Sequence, residues 1–246
     1  ATGCTPLSTH GSMKKHIPNT LTLCNLICGC IAAYMALQPE PQYATAFYFI
    51  IGGAVFDFFD GFAARLLHVS SPLGKELDSL ADDITFGMAP AAIVFAMLRQ
   101  TVPAIVPEGH WAATALPFAA FLIAAFSALR LAKFNLDERQ ATSFIGLPTP
   151  ANALFWGALA TAAHTHIATT PWAAWALLAG VVASSLILVG EVPKFALKFK
   201  HFGWTGNALR YPFLIVSAAL IISFGLVAVA LAVVLYVLLS LLTQPR

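Results

Sequence analysis

The sequence predicts an all-α fold: a polytopic bundle of about eight membrane-spanning helices, or seven if the last apolar run is one helix. Three observations predict it. The 246 residues are 59% hydrophobic and only 10% charged, against about 25% charged in a soluble domain. Apolar runs of roughly 20 residues recur along the chain, each long enough to cross a hydrocarbon core of about 30 Å. The short alternating segments of about 10 residues that build a membrane β-barrel do not occur.

The elements follow in order. Residues 1–12 (ATGCTPLSTHGS) match nothing downstream and read as a remnant of cloning before a start at Met13, so a single membrane domain is expected over 13–246. Residues 13–20 form a basic lead-in with Pro18 ahead of a first span at about 18–37. Further spans are expected at about 43–67, 76–98, 112–134, 149–166 and 172–190, with Pro72 marking the turn before the third. The final run, 211–242, would reach about 48 Å as one helix at 1.5 Å per residue. Two short helices broken near Ser223-Phe224-Gly225 are therefore favoured over one long tilted helix. Between the sixth span and this run, residues 191–210 alternate bases with Phe195, Phe199, Phe202 and Trp204. That pattern suits a helix lying in the membrane interface, and its position between spans argues against nucleic-acid binding.

Lys and Arg set the orientation. With the amino terminus in the cytoplasm, Lys14, Lys15, Arg65, Lys75, Arg130, Lys133, Arg139, Lys194, Lys198, Lys200 and Arg210 all fall inside, and Arg99 falls outside. The expected location is the inner (cytoplasmic) membrane.

The functional signal is residues 57–83, which carry Asp57, Asp60, Glu76, Asp78, Asp82 and Asp83 of the chain's eleven acidic residues. Carboxylates at membrane depth are costly and point to a functional site. On a helix Asp57, Asp60, Gly61 and Ala64 share one face; on the next, Gly74, Asp78 and Asp82 share another. If the faces meet, four carboxylates converge, and like charges that close require compensation. Hard divalent cations with oxygen ligands supply it. Lys75 and Glu76 read as solvated loop charges. Asp83 points about 100° away from Asp82 (a one-residue step on a helix) and is read as a supporting polar residue.

The run Asp57-x-x-Asp60-Gly61-x-x-Ala64-Arg65, eight residues, Gly74, three residues, Asp78, three residues, Asp82 resembles the full motif of the CDP-alcohol phosphotransferase family, with all eight fixed positions present. The resemblance implies an integral membrane enzyme that passes a phosphatidyl-type group from a CDP-linked lipid to an alcohol and releases CMP. It implies two divalent ions, Mg²⁺ or Mn²⁺, held by Asp57, Asp60 and Asp78, with Asp82 as general base and further metal contact. It also implies a homodimer. Asn19, Thr22, Gly61, Ala64, Arg65 and Gly74 are then candidates for binding the CDP-lipid: small residues admit the nucleotide, and arginine can fork a phosphate.

Three further stretches, 17–25, 129–135 and 144–150, are similar to the serine-using branch of that family, so CDP-diacylglycerol and L-serine are the expected substrates. A zwitterionic acceptor needs a cation for its carboxylate and acceptors for its ammonium; Arg130, Lys133 and Asn135 are the candidates. Glycerol 3-phosphate or inositol phosphate would be alternative acceptors. A divalent-cation transporter is the competing class, disfavoured because the acids gather at one membrane face and no inverted repeat is visible.

Overall fold

The computed structural model describes residues 9–107, 109–136, 146–190 and 210–242, and every regular element among them is helical. The order is α1 (Thr9–Ala36), α2 (Tyr43–Leu66), α3 (Pro72–Asp82), a π-helical segment (Asp83–Met88), α4 (Ala89–Thr101), α5 (Trp111–Ala115), a 3₁₀ stretch (Leu116–Phe121), α6 (Leu122–Leu136), α7 (Thr149–Thr169), α8 (Ala173–Val189), α9 (Arg210–Phe224) and α10 (Ala228–Leu242). Among the described residues four helical stretches are long and apolar enough to cross a membrane, His16–Ala36, Tyr43–Leu66, Pro72–Ala104 and Trp111–Leu136; the apolar run Tyr211–Ser240 has the length as well but is divided in two, and Ala173–Val189 is a shorter apolar helix. The chain is an all-α polytopic membrane protein.

The rod built from α3, the π segment and α4 is the centre. Its most apolar window is 67% buried, against 17–28% for the other candidate spans. Ala91, Ala92, Ile93, Val94 and Leu98 are wholly buried, with α4 packed chiefly on α7, the 3₁₀ stretch and α1. The outer helices turn large apolar side chains outward, among them Phe58, Phe59 and Phe62 of α2. In a bilayer that exposure carries no hydrophobic cost, and the helices satisfy their own backbone groups.

Small residues let the centre close. α1 and α2 form the most extensive helix pair, and Thr85 of the π segment inserts beside both. Its hydroxyl donates to the Asn25 carbonyl at 2.9 Å. A Cβ on Gly29 would lie 2.7 Å from Thr85 Cα and 2.8 Å from its nitrogen, and one on Gly53 would lie 2.5 Å from Thr85 Cγ2. Backbone cannot yield as a side chain can, so Gly29→Ala is expected to destabilise by about 1–3 kcal/mol. Gly52→Ala, whose Cβ would meet Cys28 Sγ at an ordinary 3.7 Å, is the control. Thermal unfolding in detergent compares the two, and equal melting temperatures would contradict this packing.

The structure corrects several boundaries. The candidate span of α1, His16–Ala36, agrees with the expected 18–37, but the helix itself begins earlier, at Thr9, and runs through Pro18. A proline removes one hydrogen bond, which a long helix absorbs. The third rod starts at Pro72, not 76. Ser71 is its N-cap, accepting from Gly74 N at 3.0 Å, with Pro72 in the first turn. That proline opens a helix rather than marking a loop, because its fixed φ suits the first helical position. The last apolar run is two helices, as favoured. Gly225 takes φ +64 between them, and the rings of Phe213 and Tyr236, almost equally far from it in sequence, stand 5.9 Å apart, so α9 and α10 are antiparallel. The interfacial helix expected over 191–210 falls outside the described residues except for Arg210, the first residue of α9.

Candidate active site

The two acidic faces meet. One carboxylate oxygen from each of Asp57, Asp60 and Asp78 lies within 4.8 Å of the others. Asp57 and Asp60 come from the last turns of α2, and Asp78 from the middle of α3. α2 stops just beyond them in a Schellman turn: Val69 N donates to Ala64 O at 3.0 Å and His68 N to Arg65 O at 3.2 Å. His68 takes the left-handed conformation there, φ 52, a position glycine usually fills. This turn brings Val69, Ser70 and Ser71 back over the acids and sets the start of α3.

Neutral donors from α1 hold the acids. Thr22 Oγ lies 2.6 Å from Asp60 Oδ2 and 3.0 Å from the Pro18 carbonyl, so its single proton is shared between two acceptors. Asn25 Nδ2 donates to Asp82 Oδ1 at 3.1 Å. Asp82 stands one turn beyond Asp78 on α3 and is not part of the three-carboxylate group.

Beside the acids opens a cavity of ≈ 260 Å³, near the lower end of small-molecule sites. Asn19, Thr22, Asp60, Gly61, Ala64, Gly74 and Asp78 line it, with Pro18, Val69, Ser70, Ser71 and Lys75. Five of the six residues expected to bind the CDP-lipid therefore share one cavity. The sixth, Arg65, is exposed at its edge, its guanidinium 3.9–4.0 Å from where a Gly61 Cβ would sit. Lys75 is corrected: it is a helical residue lining the cavity, and its ammonium donates to the Asn135 carbonyl at 3.2 Å. Its position depended on where α3 begins, which the Ser71-Pro72 cap decides.

The two glycines differ. A Cβ on Gly74 would press on Ser71 Oγ at 3.1 Å and Asn19 Oδ1 at 3.2 Å; one on Gly61 would meet nothing closer than 3.9 Å. Packing does not demand glycine at 61, and what its absent side chain preserves is cavity space. Gly61→Ala should hold or raise the melting temperature, since glycine inside a helix costs roughly 0.5–1 kcal/mol relative to alanine. It should raise the KM for the nucleotide-linked substrate several-fold. An unchanged KM would mean the ligand does not approach Gly61.

The acceptor candidates are not gathered in one place. Arg130 points inward, Nη1 to Thr149 Oγ1 at 3.4 Å, while Lys133 is exposed. Asn135 is engaged with α3: its Nδ2 donates to Ser79 Oγ at 2.7 Å and its carbonyl accepts from Lys75. Asn135 ties two helices together, so its amide is not free for a ligand in this arrangement.

The donor set fits a metal. Three carboxylates within 4.8 Å, with neutral Thr22 bonded to Asp60, provide hard oxygen ligands, the preference of Mg²⁺, Mn²⁺ or Ca²⁺.

A family model described as CDP-alcohol phosphatidyltransferase matches residues 15–243. The protein of Bacillus subtilis named CDP-diacylglycerol–serine O-phosphatidyltransferase is 38% identical over 136 residues, covering 55% of this chain and 70% of that protein. A protein of the same name from Mycobacterium leprae is 31% identical over 196 residues, covering 76% of this chain and 61% of the relative. One from Saccharomyces cerevisiae is 36% identical over 157 residues, covering 57% and 52%. The matched region thus spans between about half and just over two thirds of the length of these relatives.

Proposed function

Because the chain belongs to the CDP-alcohol phosphatidyltransferase family, we propose that it moves the phosphatidyl group of CDP-diacylglycerol to the hydroxyl of L-serine, giving phosphatidylserine and CMP. The observation that carries this reading is the triad of Asp57, Asp60 and Asp78, its oxygens within 4.8 Å, at the edge of a cavity kept open by Gly61. Members of this family generally depend on a divalent metal.

A divalent ion bound there, and a second in the fuller reading, supplies charge neutralisation for the pyrophosphate and the leaving CMP. The chain's own residues do the rest. Asp57, Asp60 and Asp78 hold the metal; Thr22 fixes the Asp60 carboxylate. Asn19, Gly61, Ala64 and Gly74 seat the nucleotide against the helix backbones, with Arg65 at the rim for a phosphate. Asp82, oriented by Asn25, takes the proton of the serine hydroxyl. The hydroxyl oxygen forms a bond to the phosphatidyl phosphorus; the phosphorus–oxygen bond to CMP breaks, and its electron pair leaves with CMP. The excess of Lys and Arg on one side supports a site facing the cytoplasm, and pairing into a homodimer belongs to the same reading.

The test is CMP release by purified protein in detergent with CDP-diacylglycerol and Mn²⁺ or Mg²⁺. L-Serine, glycerol 3-phosphate, inositol phosphate and no acceptor are compared. Metal-dependent release with serine alone is the expected result. Release only with another alcohol would replace the acceptor, and no release together with cation flux in liposomes would make the protein a transporter.

A further inference from the structure

Next to Asp82, where α6 and α7 pack on the π segment, lies a second polar group that the proposed chemistry has not used. Asp83 opens that segment; Ser127 and Arg130 stand one turn apart on α6; Thr149 and Asn152 stand one turn apart on α7. Both α6 and α7 pack against the π segment. Gly87 is where two of these residues come together: a Cβ there would lie 2.6 Å from Asp83 Oδ1 and 2.9 Å from Ser127 Oγ. Arg130 reaches Thr149 at 3.4 Å, near the outer limit of a hydrogen bond.

These residues are short of partners. By strict geometry Asp83 Oδ1, Ser127 Oγ, Arg130 Nε and Asn152 Nδ2 are buried without a hydrogen-bond partner, although the Ser127 hydroxyl stands close enough to Asp83 to give its carboxylate partial support. Ser127 is 0% and Asn152 1% exposed. The great majority of buried polar groups are paired, so four such atoms on three adjoining elements call for a ligand. Their chemistry divides in two. Arg130 Nε and Asn152 Nδ2 are donors that lack an acceptor, and the guanidinium is cationic: together they ask for a carboxylate. Asp83 Oδ1 is an anionic acceptor with the Ser127 hydroxyl beside it: together they ask for an ammonium. Arg130 brings the group near the proposed base, since it lies within electrostatic reach of Asp82.

We propose that Asp83, Ser127, Arg130 and Asn152 form the subsite that holds the α-amino and α-carboxylate groups of an amino-acid acceptor, presenting its hydroxyl to Asp82. This rests on the transfer reading above and deepens it by assigning acceptor recognition. Arg130 and Asn152 take the carboxylate, with Arg130 exchanging its long bond to Thr149 for the ligand. Asp83 and Ser127 take the ammonium. The subsite also rejects phosphorylated alcohols, because Asp83 would oppose their phosphate while offering nothing to a hydroxyl that an ammonium does not use better. Lys133 and Asn135 are not part of it.

The experiment uses the full chain in detergent with CDP-diacylglycerol and metal, comparing wild type, Asp83→Asn and Asn152→Ala. Serine is set against 3-hydroxypropionate, which keeps the carboxylate and hydroxyl but lacks the ammonium. A lost hydrogen bond to a charged group is worth about 10- to 100-fold. The serine KM should therefore rise by that factor in both variants, with the KM for CDP-diacylglycerol and the melting temperature unchanged. The preference for serine over 3-hydroxypropionate should shrink in Asp83→Asn and persist in Asn152→Ala. A serine KM within twofold of wild type in both variants, or a rise matched by that for CDP-diacylglycerol, overturns the subsite while leaving the transfer reading intact. Absence of serine-dependent CMP release from the wild type overturns the transfer reading itself, and the subsite with it.

Discussion

Asp78→Asn is expected to lower CMP release by about 10³-fold or more, because a metal clamp contributes several kcal/mol of charge stabilisation in the transition state. Asp78 is the one member of the close carboxylate group supplied by α3; Asp57 and Asp60 come from α2. In the proposed mechanism, replacing it would remove the ligand that joins the two helices through a metal and leave two acids on a single helix face. Stability should respond in the opposite sense to activity. Without metal, the wild type holds three like charges together, and losing one relieves repulsion, so the apo melting temperature of the variant should equal or exceed that of wild type. Adding Mn²⁺ or Mg²⁺ should raise the wild-type melting temperature, since a ligand that binds only the folded state stabilises it, and should leave the variant little changed. Retained turnover together with a retained metal-induced shift would show that Asp78 is not a ligand. A variant with a lower apo melting temperature would show that the acids are held by something other than a cation.

Much of this site was legible because helix periodicity is a local property. The i, i+3, i+4, i+7 spacing of Asp57, Asp60, Gly61 and Ala64 and the i, i+4, i+8 spacing of Gly74, Asp78 and Asp82 fix shared faces whatever surrounds them. The spacing leaves open whether the two faces meet, and the structure brings them together. The break at Gly225 was legible for a similar reason, since the length of the run set a limit. What could not be read depended on partners distant in sequence. Lys75 looked like a loop charge because the Ser71-Pro72 cap that makes it helical is a two-residue signal, outweighed by the polarity around it. Asn135 looked like a ligand for an acceptor because its hydrogen bond to Ser79, 56 residues away, leaves no trace in either segment. Asn152 drew no notice, being one amide in an apolar helix; only its enclosure without a partner marks it. Asp83 was correctly seen to face away from Asp82, but a π segment begins at that residue. Such segments occur often at functional sites, and no composition rule distinguishes ADDITFG from an ordinary helical turn.

Asp82→Asn is expected to lower kcat by about 10²- to 10⁴-fold, the range for loss of a general base, while the KM for CDP-diacylglycerol stays within a few-fold of wild type. The structure makes this substitution clean. Asn25 Nδ2 donates to Asp82 Oδ1 at 3.1 Å, and an asparagine carbonyl accepts the same bond, so the side chain keeps its place while losing the capacity to take a proton. The three-carboxylate group does not include Asp82, so metal-induced stabilisation should persist, in contrast to Asp78→Asn. That contrast separates the two roles. If Asp82 acts chiefly as a metal ligand, both variants lose the metal-dependent melting shift together. If it chiefly anchors α1 through Asn25, Asn25→Ala should reproduce the loss of kcat and Asp82→Asn should spare it. A general base gives a third pattern: metal shift retained, donor KM retained, kcat lost in Asp82→Asn. Asn25→Ala should then be milder, since a freed carboxylate can still accept the proton from a less favourable orientation. Unchanged turnover in Asp82→Asn would remove the proton from this residue and return Asp82 to a supporting part.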